Sequence, residues 1–136
     1  MPHVAVFDTN ILFSALGWQG KPFRCLQQAR TGKALSVTCS EILAELEEKL
    51  QLKRGMSAVE TAKVVHEILT FSQLVTITGT LKIVSADPDD DAVVECALNG
   101  GATHIVTGDR HLLTLGSYQG ISIVSAADFL AVVPAP

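Results

Sequence analysis

Aromatic side chains are scarce in this sequence: five Phe, one Tyr and one Trp in 136 residues. That is thin for a lectin-like or antibody-like sandwich. No apolar run approaches the roughly 20 residues that cross a bilayer. The opening Met1-Pro2-His3-Val4 has no basic segment and no cleavage motif, so no secretory signal is read there. Cysteine is limited to Cys25, Cys39 and Cys96, odd in number and far apart. This argues against a disulfide framework and for small buried thiols in a reducing cytoplasm. No close pair of Cys or His has the spacing of a zinc site. Charged residues make up only 18%, with 10 basic against 14 acidic side chains, a net −4. That balance argues against a protein that coats DNA nonspecifically. It leaves room for an enzyme acting on nucleic acid, with an anionic site and a basic rim.

What the sequence does have is apolar content, 48%, too much for a disordered chain. A chain of this size buries roughly 68% of its surface on folding, so its core needs no staples. Apolar blocks alternate with helical patterns from end to end. Strands are expected at His3–Phe7, Ala34–Val37, Leu74–Ile77, His104–Val106 and Ile121–Val124, with an extended Leu81–Val84. Helices are expected over Ile11–Leu16, Phe23–Arg30, Ser40–Leu52, Ser57 to about Phe71, Asp87–Leu98, Arg110–Leu115 and Ser125–Val132. Gly32 closes the second helix, and Ser57 with Glu60 has the capping-box pattern. The alternation predicts an α/β domain with a mainly parallel sheet. No linker or repeat interrupts it, so residues 1–133 read as one domain and 134–136 as a frayed tail.

The acidic residues carry the chemistry. Asp8 directly follows the strand ending at Phe7, and Asp109 follows Ile105-Val106 after Thr107-Gly108. Both therefore fall at carboxyl ends of expected parallel strands, the edge where open α/β sheets bind ligands. The plain alternative is that each caps the next helix. In Asp87-Pro88-Asp89-Asp90-Asp91 the plain reading is a helix start, with Asp87 as N-cap and Pro88 in the first turn. At about 100° per residue, however, Asp90 falls among Val93, Val94 and Ala97 on the apolar face. A carboxylate there is costly unless a cation or donors await it. Asp90 is therefore the candidate, with Asp91 the second choice. Asp89 and Asp91 are expected to face solvent, and Glu95 to drift toward the polar side. In Ser40–Leu52, the stripe of Ile42, Leu43, Leu46 and Leu50 leaves Glu45 and Glu47 on opposite flanks, and periodicity does not choose between them. Converging carboxylates call for a hard divalent cation, which takes few of them and completes its shell with water and phosphate.

The whole pattern resembles the PIN domain, the nuclease fold of VapC-type toxins in toxin–antitoxin modules. Val4-Ala5-Val6-Phe7-Asp8-Thr9-Asn10 resembles its strand-D-T-N opening. Ser40-Glu41-Ile42-Leu43-Ala44-Glu45-Leu46 resembles its S-x-x-I/L-x-E-L helix, which selects Glu45. Asp87–Asp91 followed by Glu95-Cys96-Ala97, and Thr107-Gly108-Asp109 followed by His111-Leu112-Leu113, resemble its later acidic blocks. The resemblance implies a three-layer α/β/α fold with a central, mainly parallel sheet. It implies Asp8, Glu45, Asp90 and Asp109 as a metal-binding and catalytic quartet, assisted by Asn10 and Thr107. It also implies Mg²⁺ or Mn²⁺, RNA as substrate, a homodimer or higher homo-oligomer, and a small antitoxin as partner, in the cytoplasm and away from membranes.

The expected activity is that of a metal-dependent endoribonuclease, leaving a 3′-hydroxyl and a 5′-phosphate. The alternative is a catalytically silent PIN scaffold that binds RNA or a partner protein. A haloacid-dehalogenase-like phosphatase would need an Asp at position 10, where this chain has Asn10. Lys21, Arg24, Lys53, Arg54 and Arg110 are candidates for phosphate contacts or plain solvated residues. Trp18, in a loop between glycines, could stack a base, pack against another subunit or anchor the loop. His111 is left unassigned, and His3 and His66 are read as structural.

Overall fold

The computed structural model describes residues 2–84 and 87–133. The Pro134–Pro136 tail lies outside the described residues. The apolar runs become β1 (Val4–Phe7), β2 (Leu35–Thr38), β3 (Ser72–Leu74), β4 (His104–Val106), β5 (Ser117–Tyr118) and β6 (Ile121–Val124). The helices are α1 (Thr9–Gly17), α2 (Lys21–Arg30), α3 (Ser40–Arg54), α4 (Ala58–Thr70), α5 (Pro88–Asn99), α6 (Arg110–Leu115) and α7 (Ala126–Val132). The sheet order is β3-β2-β1-β4-β6-β5, parallel except for β5 against β6. Helices flank this sheet, as the α/β alternation requires.

The strand order explains where a site can form. From β1 the chain winds one way, to β2 and then β3. It then returns through α5 to β4 on the other side of β1. The direction of winding thus reverses between β1 and β4, and the crevice at their carboxyl ends is open to ligands. Val6 and Ile105 are directly paired across this junction and wholly buried. One continuous apolar cluster surrounds them, including Phe7, Leu12, Leu46, Val94, Leu112 and Phe129. Phe7 meets Phe129 edge to face at 6.0 Å between ring centres. Cys25, Cys39 and Cys96 are buried free thiols, as expected.

Local signals place most helix ends. The Ser57 and Glu60 side chains make the reciprocal capping box at the start of α4. Asp87 caps α5 by accepting the Asp89 N–H at 2.9 Å, and Pro88 sits in the first turn. Gly55 ends α3 in the left-handed conformation, where a Cβ would be strained. The third strand differs from expectation. It runs over Ser72–Leu74, and the ladder continues only to Val75, whose N–H reaches Thr38 O at 2.9 Å. The short β5 was not expected, being too brief to show a period.

Leu81–Val84 is not a strand. Its segment is instead fastened to one flank of α5. Glu95 accepts from the Thr78, Gly79 and Leu81 N–H groups and from the Thr78 hydroxyl. Asp91 Oδ1 accepts from the Ile83 and Val84 N–H groups at 2.9 and 2.6 Å. Asn99 Nδ2 donates to Thr76 O at 3.0 Å. Asp91, Glu95 and Asn99 lie four residues apart, on one stripe of the helix. This corrects the expectation that Asp91 and Glu95 turn to solvent: a segment without ladder partners needs acceptors, and these side chains supply them. Burial works against the Glu95 charge, yet the donors outweigh it and hold its carboxyl below the usual range. Glu95→Ala should therefore lower the melting temperature, since it leaves the Thr78, Gly79 and Leu81 N–H groups without their shared acceptor. Hydrogen exchange should accelerate at residues 78–81 before the rest of the chain. Unchanged exchange there would contradict the strapping role.

Candidate active site

The pairing of β1 with β4 assembles the first half of the site. Asp8 follows β1, and its N–H donates to Val106 O at 2.9 Å. Thr107 follows β4, and its Oγ1 donates to Asp8 Oδ2 at 2.7 Å in a buried bond. The same Oγ1 accepts the Asp109 N–H at 2.9 Å. One hydroxyl thus ties the two strand ends together. Asp8 occupies the N-cap position of α1, but its side chain makes no cap bond there. Asp109 does cap α6, with Oδ1 accepting from the His111 and Leu112 N–H groups at 2.8 and 3.2 Å. The cap reading is therefore correct for Asp109 and insufficient for Asp8.

Asp90 completes this half from the first turn of α5. It is only 5% exposed, as its place on the apolar face implied. Among the described residues its Oδ2 has no hydrogen-bond donor. The side chain that acts most strongly on the Asp90 carboxyl is another carboxyl, that of Asp109. Burial pushes Asp90 up to about 7, and Asp109, Asp87 and Asp8 push the same way. Burial raises Asp8 as well, and the Thr107 hydroxyl offsets only part of this. Either a proton or a cation must sit among these oxygens, because like charges this close cannot all remain ionised.

The second half is less acidic. Glu45 projects from α3, and its Oε1 lies 3.4 Å from Lys49 Nζ one turn on. Lys49 Nζ also donates to Asn10 Oδ1 at 2.6 Å. Burial raises the Glu45 carboxyl, Lys49 opposes the rise, and Asp89 and Asp8 add to it. Asp8 is the carboxyl that both Glu45 and Asp90 feel, so it stands at the centre. Asp89 is exposed, as expected, yet it shares a small crevice with Thr9 and Glu45.

Sequence reasoning thus named Asp8, Glu45, Asp90 and Asp109, and the fold brings them to one sheet edge with Asn10 and Thr107. Asp91 is committed to Ile83 and Val84 instead. Lys49 was missed, although its position four residues after Glu45 is an ordinary ion-pair spacing. His111 is exposed and meets Asp109 through its backbone. Arg54 lies over the Phe13 ring at 3.8 Å and donates to Phe13 O, so it is occupied away from any phosphate.

A family model for the PIN domain matches residues 4–111. The chain belongs to the PIN-domain family. Among solved structures, this PIN domain is similar to a chain of VapBC2 from Rickettsia felis, in a crystal structure bound to a DNA fragment from their promoter. The TM-score is 0.62 over 90% of this chain and 98% of that one, at 14% identity, a likeness of fold. A search of curated proteins finds no significant match. PIN-domain nucleases are hydrolases acting on nucleic acids, and they typically use divalent metal ions.

Among the described residues, no group of three or more His, Cys, Asp and Glu side chains is arranged to hold a metal ion as it stands. That does not conflict with a hard divalent ion, which binds through one or two carboxylates and completes its shell with water and phosphate. The donor set here is oxygen only, which suits a hard divalent ion. The buried Asp90 Oδ2 without a donor fits such an ion.

The raised carboxyls give a pH test with a defined sign. A group whose folded pKa exceeds its unfolded value binds protons on folding, so stability falls as pH rises between the two values. In EDTA, the melting temperature of the wild type minus that of Asp90→Asn should become more negative between about pH 4 and about pH 7. The change should level off above the Asp90 value of about 7. At high pH Asp90→Asn should be the more stable protein, by a few degrees for each ~1 kcal/mol. A difference that does not vary with pH would contradict the clustering.

Proposed function

We propose that this PIN domain is an endoribonuclease that hydrolyses RNA phosphodiester bonds with Mg²⁺ or Mn²⁺, and that it is the toxin of a toxin–antitoxin pair acting in the cytoplasm. The observation that carries this reading is the buried Asp90 Oδ2, without a donor among the described residues, beside Asp109 and Asp8 at the switch point of the sheet. A scaffold that only binds RNA has no use for so costly an arrangement. The likeness of fold to a chain of a VapBC complex supports a small antitoxin as partner. Self-association into a homodimer belongs to the same reading.

The residues divide the work. Asp8, Asp90 and Asp109 would hold the ion, one or two of them directly and the rest through its bound waters, with Glu45 contributing from the other side. A divalent ion bound there would neutralise phosphate oxygens and lower the pKa of the attacking water. Thr107 keeps Asp8 and Asp109 in register by bonding to both. Lys49 holds Glu45 and Asn10 together and moderates the negative charge that an incoming phosphate meets. Hydrolysis leaves a 3′-hydroxyl and a 5′-phosphate.

Cleavage of a mixed RNA pool tests the proposal. Asp8→Asn, Asp90→Asn and Asp109→Asn should each lose at least roughly a hundredfold in rate while melting cooperatively, a loss typical of removing transition-state electrostatics. Asp91→Asn should lose far less, since its oxygens serve the backbone. EDTA should abolish cleavage, and Mg²⁺ or Mn²⁺ should restore it. Undiminished cleavage by chelated protein, or by Asp90→Asn, would overturn the reading.

Lys49 offers a separate check by calorimetry. Its ammonium competes with a metal for Glu45 and adds positive charge near Asp8. Lys49→Met should therefore tighten Mn²⁺ binding several-fold. Weaker binding in that variant would mean that Lys49 serves mainly to place Glu45.

A further inference from the structure

An open cleft of about 680 Å³ runs from the α1–α2 turn to the strand end that carries Thr107 and Gly108. That volume lies within the range of sites for small ligands, ~300–1,000 Å³. Trp18 lines it and is 61% exposed. The ring is nevertheless seated: a Cβ at Gly20 would lie only 1.9 Å from the Trp18 ring edge, so the turn needs a glycine for the indole to lie against it. Lys21 and Arg24 line the same cleft, one turn apart on α2. Neither makes an ion pair or side-chain hydrogen bond among the described residues. Arg30, Lys49 and Arg54, by contrast, are committed to Glu67, to Glu45 and Asn10, and to Phe13.

We infer that this cleft seats an unpaired nucleotide of the RNA, with Trp18 as the stacking platform and Lys21 and Arg24 as its phosphate contacts. The inference rests on the nuclease reading and adds to it a seat for one base beside the strand end that leads to Asp109. The apolar wall and the indole suit the face of a base, which every base presents. The free cations complement the backbone. The cleft leads to Thr107-Gly108, directly before Asp109, so a strand with its phosphate at the carboxylates continues into it. A base paired in a duplex has no free face to offer Trp18.

Trp18 is the only tryptophan, so intrinsic emission reports on this cleft alone. The Asp109→Asn variant in Mg²⁺ is titrated with an unstructured uridine decamer, so that RNA is not consumed. Emission should be quenched saturably, and the same RNA annealed to its complement should leave it unchanged. By anisotropy of dye-labelled decamer, Trp18→Ala should weaken binding roughly five- to hundredfold, and Trp18→Phe should restore most of it. Replacing Lys21 and Arg24 by Gln should lower the slope of log affinity against log salt by about 1.4, the value for two contacts to a single strand. Labelled RNA that binds while emission and Trp18→Ala remain indifferent would overturn the inference and leave the nuclease reading intact. Emission that changes with protein concentration or an added peptide but not with RNA would assign the cleft to a protein partner and overturn it too. RNA that wild type neither binds nor cuts would overturn both.

Discussion

Burying Asp8 and Asp90 beside Asp109 costs free energy that the surrounding structure must offset. The backbone around them leaves little freedom to escape that cost. β1 and β4 are paired to their last residues, and the Thr107 hydroxyl is shared between Asp8 and the Asp109 amide. α5 is pinned by its contacts with the 76–84 segment, which keeps its first turn facing the junction. Burial raises both the Asp8 and the Asp90 carboxyls, a rise that a cation among them would oppose. A site built like this is a receptor for positive charge before it is anything else.

The two halves differ in how that charge is met. On the Asp90 side nothing within the described chain supplies a cation, and the carboxyl rises furthest. On the Glu45 side Lys49 is already present, bonded to Asn10 as well. The site is therefore asymmetric before any ion or substrate enters. An incoming phosphate would find the strongest demand for metal next to the strand ends and the mildest field at α3.

Much of this was legible in the sequence because it rests on short-range rules. Strand-end aspartates follow apolar runs directly, and the helical face of Asp90 is a matter of counting. Glu45 was not reachable by counting, since two flanks of α3 carry glutamates; only the resemblance to a family pattern separated it from Glu47. What escaped depends on contacts between distant segments. Glu95 reads as a polar-side residue from its own helix, and its burial arises from a segment about 15 residues upstream that has no ladder to join. Leu81–Val84 was expected to be extended, but its composition gave no sign that its N–H groups would be taken by Asp91 and Glu95 of α5. β5 is two residues long, below the length at which a period exists. Lys49 carried a signal, its spacing from Glu45, but solvated pairs of that kind are common enough to pass unnoticed.

The Asp8–Thr107 bond joins residues 99 positions apart. As the chain is made, Asp8 precedes Thr107 by 99 residues, and the strand it ends must wait for β4. Contacts of such long range form late. The growing chain therefore holds Asp8 without Asp90 and Asp109 until α5 and β4 have followed, and the carboxylate edge comes together only once β4 can pair with β1.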